Sequence, residues 1–416
     1  MERLFKNACI ARADSPELEK ADVLVGDDGV IKEVGKDIAG DAASDCAGCV
    51  LVPGMFDLHV HAREPGAEHK ETLATCADAA LNGGITGLVL MPDTSPPIDT
   101  GNLVKSLQDL VFEASPIPML VAGCLTKRRE GEKLAGFSGM ANRGVVMLTD
   151  SDRTVPCPDL LRRCMEYARD FHLVVTSHCD TPALAKAGAV NEGRVSYQLG
   201  LPGIPAISQE IAIDRDIRVA QHTGAKLHLQ QISTAHALRA ISDAKATGTN
   251  VTCEVSPFHL LLSEDDIEDY NTAYKLDPPL RLPADRDALL KGLLDDTVDA
   301  IATNHAPHTE FEKAADFASA PFGVAGLETA VLSLYDRFIK NGVFGWDLLI
   351  RKYSVAPREI VGQQPVAIQE GEKANFFVFD PEGETKVDAG YLKTKSHVSP
   401  FLGKALAGAI RETVLG

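Results

Sequence analysis

No run of apolar residues in this chain approaches the roughly 20 that a membrane-spanning helix requires, so its hydropathy points to no membrane partner. The opening residues, MERLFKNACIARADSPELEK, lack the apolar core of a secretory signal. Basic residues are scarce: 41 Lys and Arg stand against 59 Asp and Glu, a formal net charge of −18. That balance argues against a nucleic-acid partner, because phosphate binding needs a basic face. Internal repeats, low-complexity tracts and long linkers are missing. Nine cysteines are scattered and odd in number. With no export signal, they are expected to be reduced thiols in a cytoplasm. Cys46 and Cys49 form a lone C-x-x-C without a second pair, and read as a strand-turn coincidence.

What is present is an ordinary globular composition, 45% hydrophobic and 24% charged. At 416 residues the chain is too long for one small core. The first 50 residues hold short β-like runs (RLFKNACIA, ADVLVGDDGVIKEVG, CVLVPG), with GDDG as a hairpin turn. From residue 53 the rhythm changes. Eight short apolar runs follow, at 55–61, 86–92, 118–124, 144–150, 173–178, 226–232, 250–255 and 299–304. Helix-like segments such as 70–82, 158–170, 207–223 and 285–295 separate them. Eight strand–helix repeats predict an α/β chain with a closed, TIM-like (β/α)8 barrel. An open doubly wound sheet would more often carry a Gly-rich phosphate loop after its first strand, and none is present. After about residue 355 the β-like pattern returns. The expected organisation is a barrel over 53–355, with a small β-sandwich domain assembled from residues 1–52 and 356–416.

In such barrels chemistry sits where the strands end at the carboxyl face. The run ends carry His59 and His61, then Asp93, Asp150, His178, Gln231 and Asn304. Residues two apart on a strand face the same way, so His59 and His61 can grip one cation. Imidazole suits zinc, and His178 on another strand can supply a third nitrogen.

The motif DLHVHAREPG (57–66) resembles the opening metal motif of class I dihydroorotases in the amidohydrolase superfamily. The likeness continues in order through GGITGLVLMPDTSPPIDT, SHCD, LGLPGIPAISQ, VTCEVSPFHLLL, YKLDPPLRLPADR, IATNHAPHTE and APFGVAGLETA. It implies a zinc-dependent enzyme of pyrimidine synthesis that interconverts N-carbamoyl-aspartate and dihydroorotate. Its metal activates water, and a carboxylate on the last strand moves the proton. It also implies His59, His61 and His178 as metal ligands and Arg63 as the grip on a substrate carboxylate. His308 becomes a second substrate contact, with a backbone contact loop at Pro321, Phe322 and Gly323.

The other half of the pattern departs. TDSDR puts Ser151 where the family has a bridging Asp, leaving Asp150 as a weak ligand candidate unless Asp150 or Asp152 slips into place. HLQQIST puts Gln231 at a His ligand position. By strand parity His228 faces the other way and cannot replace it. IATNHAPH puts Asn304 where the family keeps its base, and an amide accepts no proton. Asp93 and Asp277 stand where the family has Asn, adding charge beside an anionic substrate.

The expected reading is therefore a dihydroorotase-family chain that is impaired or silent, a structural partner of aspartate transcarbamoylase, with one zinc or none. Two alternatives stay open: an active enzyme with a one-metal or rearranged centre, and a cyclic amidohydrolase with a neutral or cationic ring substrate. A homo-oligomer is expected, and residues 305–324 are the candidate lid.

Overall fold

The computed structural model describes residues 2–40 and 43–416. Eight parallel strands form the barrel: Met55–Val60, Ile85–Leu90, Met119–Gly123, Met147–Leu148, Val174–His178, Leu227–Gln230, Val251–Val255 and Ala300–Ile301. Seven lie within the apolar runs, and the second starts one residue ahead of its run, at Ile85. Their residues are buried on both faces, as barrel strands require, including the polar ones in MFDLHV and LHLQ. The order is sequential from first to eighth. A bridge between Val60 and His305 brings the eighth strand's extension against the first.

A buried carboxylate pins that seam. Asp57 accepts hydrogen bonds from His59 N and Thr303 N (2.9 Å each) and from the Tyr353 hydroxyl (2.8 Å). The outer helices include Leu73–Asn82, Pro158–Asp170, Ile207–Thr223 and Pro283–Leu294, close to the segments expected. Thr72 caps the first of these, accepting from Thr75 N.

Strands from the two ends of the chain share one seven-stranded sheet. Asn375–Lys386 pairs antiparallel with Val50–Pro53 and with Ala405–Leu415. Alternate residues of Asn375–Lys386 face opposite ways, as a strand requires. Phe377 and Phe379 join the barrel's hydrophobic core, while Phe376 and Val378 fill a second core with Phe5, Ile10 and Leu51. The joint is aromatic: Phe379 lies 4.4 Å from Tyr335 and 4.9 Å from Trp346, edge to face. All nine cysteines are free thiols. Among the described residues, no helix is long and apolar enough to cross a membrane.

Candidate functional site

A cavity of about 240 Å³ opens at the carboxyl ends of the strands. It is lined by His59, His61, Arg63, Asp152, His178, Asp277, Asn304, Ala306, His308, Pro321, Phe322 and Gly323. The sequence places most of these residues at one site, and the fold brings them together there. Asp93, Asp150, Ser151 and Gln231 lie outside its lining.

The two first-strand histidines are each backed by a carboxylate. His59 Nδ1 meets Glu254 Oε1 and His61 Nδ1 meets Asp93 Oδ2, both at 2.8 Å. Their rings sit 5.2 Å apart. A carboxylate behind Nδ1 fixes the ring and leaves Nε2 to face outward. Burial pushes His61 down to about 4, with Asp93 opposing. Glu254 also accepts from Gln231 Nε2 (2.8 Å) and meets His228 Nε2 (3.1 Å). Burial would raise this carboxyl, but its hydrogen bonds to His228 and His59 prevail and hold it near 2.

Three of the candidate site residues share an unusual backbone. Ser151, Gln231 and Asn304 have φ of 60°, 48° and 53°, in the left-handed region. Each lies just past the end of its strand, where the period-two rule stops applying. This corrects the parity expectation for the sixth strand: His228 and Gln231 do not point apart but touch the same carboxylate. Ser151 Oγ and Gln231 Oε1 are buried without any hydrogen-bond partner. Asn304 donates from Nδ2 to the Asp277 carbonyl (2.9 Å).

Asp150 is also corrected. Its carboxylate accepts from Leu125 N and Thr126 N (3.0 Å each) and from the Thr126 hydroxyl, so it ties down the turn after the third strand. Asp152 reaches the cavity wall, but pairs with Arg129.

These donors do not fit the zinc that the resemblance implies. Two carboxylate-backed imidazoles remain, and His178 Nε2 turns to Asp277 at 3.5 Å. The orphaned hydroxyl and amide oxygens are weak zinc donors. Among the described residues, no three His, Cys, Asp or Glu side chains converge to hold a metal ion.

All three nitrogens of Arg63 contact protein groups. Nε donates to Pro307 O (3.2 Å), Nη1 to Asp93 Oδ2 (3.1 Å), and Nη2 meets His308 Nε2 (3.2 Å). Burial would raise Asp93, but His61 and Arg63 hold it well below the carboxylate range. His308 lies between Arg63 and Lys70, whose Nζ is 3.2 Å from its Nδ1. Burial first, then these two cations, push it down to about 3, so the ring is neutral. Lys70 pairs with Glu312 at 2.7 Å.

The wall at 321–323 is held by two buried lysines. Lys313 Nζ donates to Pro321 O (2.9 Å) and Gly323 O (3.0 Å), and Lys275 Nζ to Phe317 O (2.8 Å) and Ala318 O (2.9 Å). Lys275 also lies over the Phe322 ring, 4.6 Å from its centre. Sequence reasoning missed both lysines, as well as Glu254. For Glu254 a signal existed: a lone carboxylate inside the five-residue strand VTCEV.

Residues 48–237 match a family model described as dihydro-orotase-like. A dihydroorotase from Carboxydothermus hydrogenoformans is 40% identical over 412 residues, covering 98% of this chain and 95% of that protein. One from Staphylococcus aureus is 37% identical, covering 98% and 96%. Among solved structures, an L-hydantoinase (dihydropyrimidinase) from Arthrobacter aurescens superposes with a TM-score of 0.87 at 23% identity, covering 99% of this chain and 94% of that one. A dihydropyrimidinase from Brevibacillus agri gives 0.84 at 20%, covering 99% and 93%. At that identity the structural likeness establishes the barrel and its added sheet alone. The sequence relatives, matched along nearly their whole length, establish more: the chain belongs to the dihydroorotase family.

Proposed function

We propose that the cavity is a ring-binding pocket of the dihydroorotase type whose catalytic machinery has been replaced, leaving a chain of pyrimidine biosynthesis that turns over dihydroorotate slowly or not at all. One observation carries this reading. At the tip of the eighth strand, where the family keeps its base, stands Asn304, an amide engaged as a donor to Asp277 O. An amide cannot take a proton from the attacking water or from the substrate's nitrogen. Loss of a general base typically costs about 10²–10⁴-fold in rate. The orphaned Ser151 and Gln231 support the same reading, because they stand where the family places metal ligands. An intact barrel without the chemistry suits a structural role, and aspartate transcarbamoylase is the partner that the family resemblance suggests.

The test is hydrolysis of dihydroorotate at neutral to alkaline pH, with metal content measured on the same sample. The unmodified chain should be at least about 10²-fold slower than a variant carrying Ser151→Asp, Gln231→His and Asn304→Asp in zinc. Brisk turnover by the unmodified chain would overturn the proposal. Stoichiometric co-purification with aspartate transcarbamoylase tests the partner separately.

A further inference from the structure

We infer that Asp93 is an internal carboxylate occupying Arg63, so that the pocket takes an uncharged ring in preference to the same ring bearing a carboxylate. This rests on the ring-binding reading above and names the ligand class.

Among the described residues that line the cavity, Arg63 is the one Lys or Arg. An incoming carboxylate would seek its guanidinium fork. All three nitrogens already face protein groups: Pro307 O, Asp93 Oδ2 and His308 Nε2. Asp93 is anchored from a second side by His61 Nδ1 at 2.8 Å. A ligand anion would therefore have to displace a carboxylate that is tethered and buried. The tether is built into the backbone. Gly66 has φ +106°, and a Cβ there would come within 2.7 Å of the Ser95 carbonyl oxygen. Ser95 N donates to Pro65 O at 2.9 Å, which draws the Asp93 segment onto the Arg63 turn.

The surrounding charges point the same way. Lys70 at the mouth is paired with Glu312, and Arg129 with Asp152. Asp277, by contrast, faces the cavity with its side chain 37% exposed, and its one ion-pair contact among the described residues is His178, at 3.5 Å. Arg63, Lys70 and Arg129 thus each have a protein carboxylate, and Lys275 and Lys313 are spent on backbone carbonyls of the wall, while Asp277 lacks a close ion-pair partner. An anionic ligand would compete with Asp93 for Arg63 and would meet a second carboxylate, Asp277, on the wall.

Dihydrouracil and dihydroorotate share a ring and differ by one carboxylate, so their affinities isolate this effect. Titration calorimetry on the full chain should show dihydrouracil binding at least as tightly as dihydroorotate. Asp93→Asn keeps the shape and frees the fork. It should tighten dihydroorotate about tenfold or more while leaving dihydrouracil within about threefold. Asp277→Asn should give a smaller gain, because it removes repulsion without freeing Arg63. Tenfold preference of the unmodified chain for dihydroorotate would overturn the inference, and this comparison needs no variant to fold. So would an unchanged ratio in a folded Asp93→Asn protein, which leaves the ring-binding reading standing. Binding of neither ring to any of these proteins would overturn that reading and the inference with it.

Discussion

Replacing Glu254 with Gln tests the buried network beneath the pocket. The carboxylate, on the seventh strand, collects groups from the first and sixth: His59, His228 and Gln231 all meet it. Its pKa falls from 4.5 to about 2 despite complete burial, because those hydrogen bonds favour the charged form more than desolvation opposes it. The depressed folded value means the group contributes stability above the unfolded pKa and loses it as pH falls toward 2. A gap of about 2.5 units corresponds to about 3 kcal/mol at neutral pH. Gln is nearly isosteric with the protonated acid, so Glu254→Gln should cost about that amount. Urea unfolding at pH 7, 5 and 3.5 reads the effect. The difference between variant and parent should hold from pH 7 to 5 and shrink to about 2 kcal/mol at pH 3.5. A variant as stable as the parent at pH 7, or a difference that widens in acid, would refute the assignment of Glu254 as an ionised hub.

Asp150→Ala should cost about 2–3 kcal/mol in stability, measured by chemical denaturation, because it strands the buried Leu125 and Thr126 amides. It should leave ring affinity unchanged, and a loss of metal or ring binding without a loss of stability would contradict its structural placement. For Lys313, burial lowers the ammonium to about 7 from 10.5, so the native state sheds its proton before the unfolded chain does. Stability should rise from this group between about pH 7 and 10, with a slope near 1.4 kcal/mol per unit that Lys313→Met abolishes. The same variant should speed amide exchange in residues 317–323, whose carbonyls lose a donor; an unchanged slope and exchange rate would remove the lysine from that role.

How much was legible follows from where each partner lies. The eight strands show in the sequence because barrel burial makes each a short, apolar-rich stretch between helix-like segments, a purely local signal. His59 and His61 show because their spacing is local too. Glu254 sits 195 residues from His59, and nothing beside it in the chain announces the contact. Nothing in the sequence singles out Lys275 and Lys313, since their partners are main-chain carbonyls without sequence identity. The parity argument failed at Gln231 for a backbone reason. A left-handed residue just past a strand end redirects its side chain, and Gln is not a residue type that signals that conformation. Asp93 was read as a charge that repels a substrate. Its pairing with Arg63 depends on a close backbone approach at Gly66 that no spacing rule conveys.

The altered positions also make sense as a set. Under the proposed function, Ser151 and Asn304 each lack a carboxylate that the family pattern carries, and Asp93 and Asp277 each supply one that it does not. On that reading, carboxylates have left places that would face a cation and stand at places that would face a ring or Arg63. A buried carboxylate without a cation is an uncompensated charge, and its neutral replacement removes that cost. Restoring Ser151→Asp alone should therefore destabilise the chain, because the side chain is fully buried and Asp150 is its neighbour. Desolvation would raise the new group's folded pKa above its unfolded value. The native state would then hold the proton more tightly, and the penalty would grow as pH rises, reaching about 3 kcal/mol by pH 8 and nearly vanishing at pH 4. Zinc should not repair the single variant, since Gln231 and Asn304 still offer amide oxygens. It should raise the melting temperature once Gln231→His and Asn304→Asp accompany it. A single variant as stable at pH 8 as the parent would mean that a cation, or a water-filled space, already awaits that carboxylate, and the reasoning from charge removal would fail.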